Sequence, residues 1–315
     1  MKVFTSVNDV KDPQAMANLG LELKKNPFAH KHLGENKTMG IIFLNPSLRT
    51  RLSTQKAAKN LGMEVMVMNF TGEGWNLETE DGVVMNGNAQ EHIKEAAAVI
   101  GQYCDIVGIR SFPSFESKEK DYSEKIINDF IKYCGKPVVS LESATLHPLQ
   151  SLADLITITE LKKTAKPKVV LTWAPHPRRL PQAVANSFAE WMNKADVDFV
   201  ITHPKGYELD KKFTGSAHIE YDQDKAFEGA DFIYAKNWSS YEQYGEILSE
   251  DPSWTVSLEK MKLTNNGKFM HCLPVRRNVV VNDEVLDSEY SVCIQQAGNR
   301  EWSAQAIIKT MLEKL

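Results

Sequence analysis

The chain has 315 residues, 42% of them hydrophobic and 25% charged, with a formal net charge of -4 at pH 7. That balance suits a globular protein long enough for two domains of ordinary size. It argues against a broad basic surface for nucleic acid or anionic membrane, so any anion site must be local and built from a few placed cations.

The N-terminal stretch MKVFTSVNDVKD has no apolar core of signal-peptide length, and no later run approaches a membrane span. Cys104, Cys134, Cys272 and Cys293 are scattered without CxxC spacing or a histidine cluster. The expectation is a cytoplasmic protein in a reducing compartment, with no membrane association, no disulfide and no structural zinc.

In chain order, helical periodicity over 13–25 is followed by a strand at 38–44 (TMGIIFL), a helix over 50–61 and a strand at 63–69. The stretch 70–90, rich in Gly, Asn and acids, reads as a loop. Next come a helix over 90–103, a strand at 105–109, a helix over 123–134, a strand at 137–141 and a long helix over 148–163. The second half predicts strands at 167–173, 198–202, 231–235, 268–271 and 291–295, with helices over 181–194 and 297–314. Several of the strands are continuous apolar runs, as parallel strands covered on both faces require. The pattern is two successive βαβ series, hence an α/β protein of two doubly wound parallel-sheet domains. The boundaries are 1–147 and 148–296, with the last helix (297–315) packing back on the first domain.

In such folds ligands gather at the carboxyl ends of strands. Residues 43–53, FLNPSLRTRLS, sit at one such end and run into a predicted helix. A helix start offers free backbone N–H groups and a dipole that favour an anion. Ser47 and Thr50 add hydroxyl donors, and Arg49 adds a rigid two-pronged cation. Alone, the segment reads equally well as a Ser N-cap followed by solvated arginines. It lacks the G-x-x-x-x-G-K pattern of a P-loop.

A second segment, HPLQSLADLIT, follows the strand at 137–141. Pro148 suits a helix start, and His147 and Gln150 are spaced to face one ligand. Taken singly, His147 reads first as a packing or capping histidine, and Asp154 reads as structural. The third segment, HCLPVRR, also follows a strand, and Leu273-Pro274 holds an extended backbone whose carbonyls can accept from an amide. Its bland reading is an inert Cys272 with two surface arginines, Arg276 and Arg277. Arg110 closes the strand DIVGIR and Arg300 opens the last helix. Taken together, these cations at strand ends and helix starts of an acidic chain point to a small dianionic phosphate substrate.

Ser47-Leu48-Arg49-Thr50-Arg51, Arg110, His147-Pro148-Leu149-Gln150 with Asp154, His271-Cys272-Leu273-Pro274 and Arg300 resemble, in order and along essentially the whole chain, the signature of the transcarbamylase (carbamoyltransferase) family. The first motif departs from the usual S-T-R-T: Leu48 removes a hydroxyl and leaves its backbone N–H. The resemblance implies carbamoyl transfer from carbamoyl phosphate to an amine without metal or organic cofactor. The first domain would then bind carbamoyl phosphate and the second the amine substrate. Ser47, Leu48, Arg49, Thr50 and Arg110 are implied to hold the phosphate. His147, Thr50 and Arg110 would lie near the carbamoyl oxygen, and Gln150, Cys272, Leu273 and Arg300 would hold the carbamoyl group. Family sites sit between subunits of a homotrimer, and Trp75 is implied to reach into a neighbour's site.

The S-M-G loop of ornithine-using members is missing. Trp173-Ala174-Pro175-His176-Pro177-Arg178, Leu180-Pro181-Gln182 and Gly74-Trp75-Asn76-Leu77-Glu78 resemble instead the branch that carbamylates N2-acylated ornithine. In that branch Glu142, His176, Lys236 and Arg276 match acylornithine-contacting positions, and Lys236 and Arg178 could meet a succinyl carboxylate. Acetyl-using members carry a Glu where Gln90 stands and a Lys where Val280 stands; succinyl-using members carry Pro and an apolar residue. Gln90 removes the charge but keeps the bulk, so the resemblance implies succinyl with acetyl as the alternative. A nicotinamide-dependent dehydrogenase would need a G-x-G-x-x-G turn after a first strand, which is absent. A non-catalytic phosphate-binding paralogue is the remaining reading.

Overall fold

The computed structural model describes residues 1–70, 72 and 74–315 and sorts most of the apolar runs into two five-stranded sheets. Every ladder in both is parallel. The chain divides into two units: Met1–Asp12, Leu19–Leu149 and Arg300–Leu315 form one, and Pro13–Asn18 with Gln150–Asn299 the other.

In the first unit, β1 (Val3–Phe4), β2 (Thr38–Phe43), β3 (Glu64–Asn69), β6 (Ile106–Arg110) and β7 (Val138–Glu142) lie in the order β1-β7-β6-β2-β3. The short parallel pair β4 (Leu77–Glu78) and β5 (Glu91–His92) stands apart. β6 and β7 are buried along their whole length. Ile42, Ile93, Ala97, Val107, Ile109, Ile127, Phe130 and Val138 form one core between this sheet and helices Ile93–Tyr103 and Lys125–Tyr133. Each of the Ile, Val and Phe side chains among them contributes roughly 1.5–3 kcal/mol by leaving water. From β2 the chain first adds β3 on one side and later β6 on the other. The strand order therefore reverses beside β2, where doubly wound sheets leave a crevice.

The second unit repeats the logic with β8 (Lys168–Trp173), β9 (Asp198–Thr202), β10 (His218–Glu220), β11 (Phe232–Lys236) and β12 (Lys268–Met270), in the order β10-β9-β8-β11-β12. Its reversal lies between β8 and β11, whose ends are in register at Trp173 and Lys236.

Two expectations change. The run at 291–295 is not a strand. Phe269 makes a single parallel bridge with Ser291, and helix Cys293–Leu312 then begins. A strand there would have had to bury Ile294, which is 80% exposed; the following Gln-Gln-Ala favours helix. The 70–90 stretch is loop but contributes β4, which pairs with β5 just beyond it. Thr71 and Glu73 of that stretch lie outside the described residues. No helix among the described residues is long and apolar enough to cross a membrane.

Candidate active site

The first unit builds a cationic cradle at its strand reversal. β2 stops before Asn45-Pro46, and Ser47 then N-caps helix Leu48–Asn60, its Oγ accepting from the Thr50 N–H at 3.4 Å. Register brings in the other side chains: Phe43 pairs with Arg110, and Arg110 with Glu142 across a shift in the β6–β7 ladder. An irregularity of that kind re-aims the side chain that follows it. The Arg110 guanidinium donates to the Glu142 carboxylate and to Thr50 Oγ1 at 3.4 Å, and it lies 4.5 Å over the Phe112 ring. Arg300 Nη2 donates to the same Thr50 oxygen at 2.7 Å. His147 Nε2 stands 3.4 Å from Glu142 Oε2.

Thr50, Arg110, Glu142, His147 and Arg300 are all buried, and Arg49 is half-buried. Two buried guanidiniums, Arg110 and Arg300, converge on the Thr50 hydroxyl, where desolvating their charge is costly. A dianion would offset that cost. The Thr50 oxygen accepts from both arginines, so its own hydrogen is left to donate elsewhere. Leu48 points its side chain outward, 67% exposed, which leaves its backbone as its contribution to the helix start.

In the second unit, Gln150 Nε2 donates to Asp154 Oδ1 at 2.8 Å, and Gln296 Nε2 donates to the same oxygen at 2.7 Å. Gln296 Oε1 in turn accepts from the backbone N–H of His271 at 2.9 Å. His271 Nδ1 accepts from Leu273 N–H at 2.9 Å, which fixes the turn at the positive-φ Leu273. Tyr234 is wholly buried beside Asp154 and Cys272; burial, and then those two groups, push its hydroxyl well above its ordinary pKa of 10.0.

At the reversal between β8 and β11, His176 Nε2 accepts from Arg276 Nε at 3.1 Å. An arginine always donates, so this contact needs an unprotonated Nε2; Nδ1 faces both the Arg178 carbonyl at 3.0 Å and the Arg178 backbone N–H at 3.1 Å. Burial first, and then the charges of Lys236, Arg276 and Arg178, hold the His176 imidazole below its ordinary 6.5. A cavity of about 260 Å³ opens beside it, lined by Pro175, His176, Glu250, Thr255, Asn278 and Val279. Arg277, by contrast, is tied to Asp283 and Asp287 at 2.8 and 2.7 Å. The structure thus separates the two adjacent arginines into one beside His176 and one engaged by acids.

The chain matches the aspartate/ornithine carbamoyltransferase carbamoyl-P binding domain over residues 2–160 and the corresponding Asp/Orn binding domain over residues 181–311. It is 61% identical to the N-succinylornithine carbamoyltransferase of Bacteroides fragilis, with all of both chains covered. To the N-acetylornithine carbamoyltransferase of Xanthomonas campestris it is 36% identical, with 88% of each covered. The chain belongs to the aspartate/ornithine carbamoyltransferase family.

Among solved structures, a mutant N-acetyl-L-ornithine transcarbamylase complexed with carbamyl phosphate and N-succinyl-L-norvaline superposes with a TM-score of 0.93 at 34% identity. The match covers 99% of this chain and 100% of that one. An acetylornithine transcarbamylase complexed with acetylcitrulline gives a TM-score of 0.92, also at 34% identity and with 99% of each chain covered.

Against that family assignment, the structure brings Ser47, Thr50, Arg110, Glu142, His147 and Arg300 into one cradle. His176, Arg178, Lys236 and Arg276 form a second cationic group. Glu142, expected among the acylornithine contacts, is engaged by Arg110 and His147. Trp75 and Gln90 share one loop: Gln90 N–H donates to the Asn76 carbonyl at 3.2 Å and Trp75 Nε1 donates to Glu91 at 3.0 Å. Among the described residues no hydrogen bond joins either to the cradle. Val280 is core, packed with Val256 and Val281.

Three contributors escape a reading of the sequence. Phe112 lies under the Arg110 guanidinium. Gln296 was hidden by the strand reading of 291–295, although its spacing of four from Arg300 signals one helix face. Glu124, in the left-handed region at φ 53°, accepts from Ser143 Oγ at 2.6 Å, Thr145 N–H at 2.7 Å and Ala144 N–H at 3.3 Å. It thereby holds the turn that delivers His147, and a single Glu in an amphipathic stretch gives no such signal.

Proposed function

We infer that this chain transfers the carbamoyl group of carbamoyl phosphate to the δ-amine of N2-succinyl-L-ornithine, giving N-succinyl-L-citrulline and phosphate, as a step of arginine biosynthesis. The observation that carries the reading is the cradle of Thr50, Arg110 and Arg300, two buried guanidiniums converging on one hydroxyl. The first unit binds carbamoyl phosphate: the N–H groups at the start of helix Leu48–Asn60, with Ser47, Arg49, Thr50 and Arg110, take the phosphate. His147, Arg300, Gln150 and the Cys272 and Leu273 carbonyls take the carbamoyl group. Negative charge grows on the carbamoyl oxygen and the departing phosphate as the amine attacks, and fixed donors at those atoms lower the barrier.

The nucleophile must be a neutral amine, whose ordinary pKa is near ~10.4. The departing phosphate accepts its proton, and Glu142, the buried carboxylate beside His147, orients the amine. The second unit binds the acylornithine, with Lys236 and Arg178 as cations for the succinyl carboxylate and His176 and Arg276 beside them. The protein works as a cytoplasmic homotrimer in which Trp75 reaches a neighbouring subunit's site. Supporting the oligomer is Trp75, a large aromatic side chain 52% exposed in a polar loop of the first unit.

The second reading, N-acetylornithine, is favoured by Gln90, which keeps the bulk of the Glu that acetyl-using members carry. Steady-state kinetics with carbamoyl phosphate and each of ornithine, N-acetylornithine and N-succinylornithine decides. Preference for the acetyl compound would overturn the substrate, and preference for free ornithine would overturn the branch.

A further inference from the structure

We propose that Gln296 is a positioning residue that holds the side-chain amide of Gln150 in the one orientation from which it accepts a hydrogen bond from the carbamoyl NH2. The proposal rests on the reading of the site as a carbamoyl phosphate site and names the device that tells a carbamoyl group from other acyl groups.

Both ends of the Gln296 amide are specified. Its oxygen accepts from the His271 N–H at 2.9 Å and its nitrogen donates to Asp154 at 2.7 Å. A reversed amide would set NH2 against N–H and oxygen against carboxylate, so only one orientation is stable. Asp154 is thereby kept as an oriented acceptor, and Gln150 Nε2 donates to the same oxygen at 2.8 Å. Reversed, Gln150 would place its carbonyl oxygen against a carboxylate. The orientation is therefore forced, and Gln150 Oε1 is turned from Asp154, buried and with no hydrogen-bond partner among the described residues. A buried, preset acceptor selects a ligand N–H, because leaving such an atom unsatisfied is costly. The same Gln296 oxygen anchors the loop whose Cys272 and Leu273 carbonyls are candidates for the second hydrogen of that NH2.

The test uses two stable phosphonates bound to the full-length protein and measured by calorimetry. Phosphonoacetamide carries the NH2, and 2-oxopropylphosphonate replaces it by CH3 with the ketone and phosphonate kept. The wild-type protein should prefer the amide by about tenfold, the effect of one buried hydrogen bond. Q296L should reduce that preference to within about twofold while leaving the ketone's affinity unchanged, a split that general loosening of the fold would not produce.

Should Q296L fail to fold, Q296E decides. Its carboxyl beside Asp154 shares one proton at low pH and so mimics the donating amide; at higher pH the two carboxylates repel. The amide preference should therefore be present near pH 6 and lost as pH rises, while the wild-type ratio stays flat. A wild-type preference retained in Q296L, or a pH-independent wild-type ratio in Q296E, would overturn the role of Gln296. A wild-type protein that binds both probes equally overturns the acceptor role of Gln150. Failure to bind either probe removes the carbamoyl phosphate reading itself.

Discussion

The two strand reversals solve opposite problems. In the first unit the charged side chains are buried and locked to one another: Arg110 to Glu142, Arg110 and Arg300 to Thr50, His147 to Glu142. In the second, Arg178 and Arg276 are exposed, Lys236 is partly so, and His176 is the group whose protonation their charge suppresses. A preset, desolvated cradle suits a ligand whose charge and shape never vary and whose transition state needs donors that do not reorganise. A solvated cationic rim suits a variable ligand tail, because exchanging one exposed side chain there costs little stability. The contrast predicts that variants of the cradle change turnover and stability together, whereas variants of the rim change only the acceptor's KM.

The largest effect should come from Arg110→Leu, which leaves Glu142 buried beside His147 without its guanidinium. Breaking a buried pair from one side costs about 3–5 kcal/mol. Thermal unfolding should shift down by several degrees, and kcat/KM for carbamoyl phosphate should fall at least about a thousandfold. An unchanged melting temperature would mean that the cradle is not locked.

Thr50→Val removes the oxygen that Arg300 and Arg110 share. Loss of one buried acceptor is worth about 1–3 kcal/mol, so kcat/KM should drop roughly ten- to a hundredfold. On the rim, Lys236→Met and Arg178→Met should each raise KM for N-succinylornithine about tenfold. Both should leave the KM for carbamoyl phosphate and the melting temperature in place. Equal losses with N-acetylornithine would break the link to the succinyl carboxylate.

His176 sharpens the comparison through pH. Its folded pKa lies below 6.5, so the ring is neutral at pH 7 and accepts from Arg276. The unfolded chain takes up its proton first as pH falls through 6.5. His176 therefore withdraws stability in the window from 6.5 down to its folded value and contributes fully above it. Acceptor KM should rise over the same window, and His176→Asn should flatten that limb. The smallest effect is expected for Leu48→Thr: the side chain is outside and the backbone N–H remains, so kcat should stay within about twofold.

The positional rule for doubly wound sheets made Ser47, Arg110, His147 and the 271–274 turn legible as candidates, because each follows an apolar run that can only be a strand end. The strand reading at 291–295 failed because Val-Cys-Ile is equally a strand and a buried helix start by pattern alone. With it went Gln296. Glu124 was invisible for a different reason: its role depends on a left-handed backbone and on three partners some twenty residues away.

What the sequence determined by itself is local: parallel-strand runs, the Ser47 cap, cations at strand ends and the absence of a P-loop pattern. Those follow from side-chain period and cap chemistry, which act within one turn or one strand. The tertiary structure alone decided which cations are buried together. β-register sets Phe43, Arg110 and Glu142 side by side, and helix Cys293–Leu312 carries both Arg300 to Thr50 and Gln296 to Asp154. The physical reason is range: a hydrogen bond across 250 or 142 residues of chain exists only when the distant segments of its own unit have packed, and no local pattern encodes it.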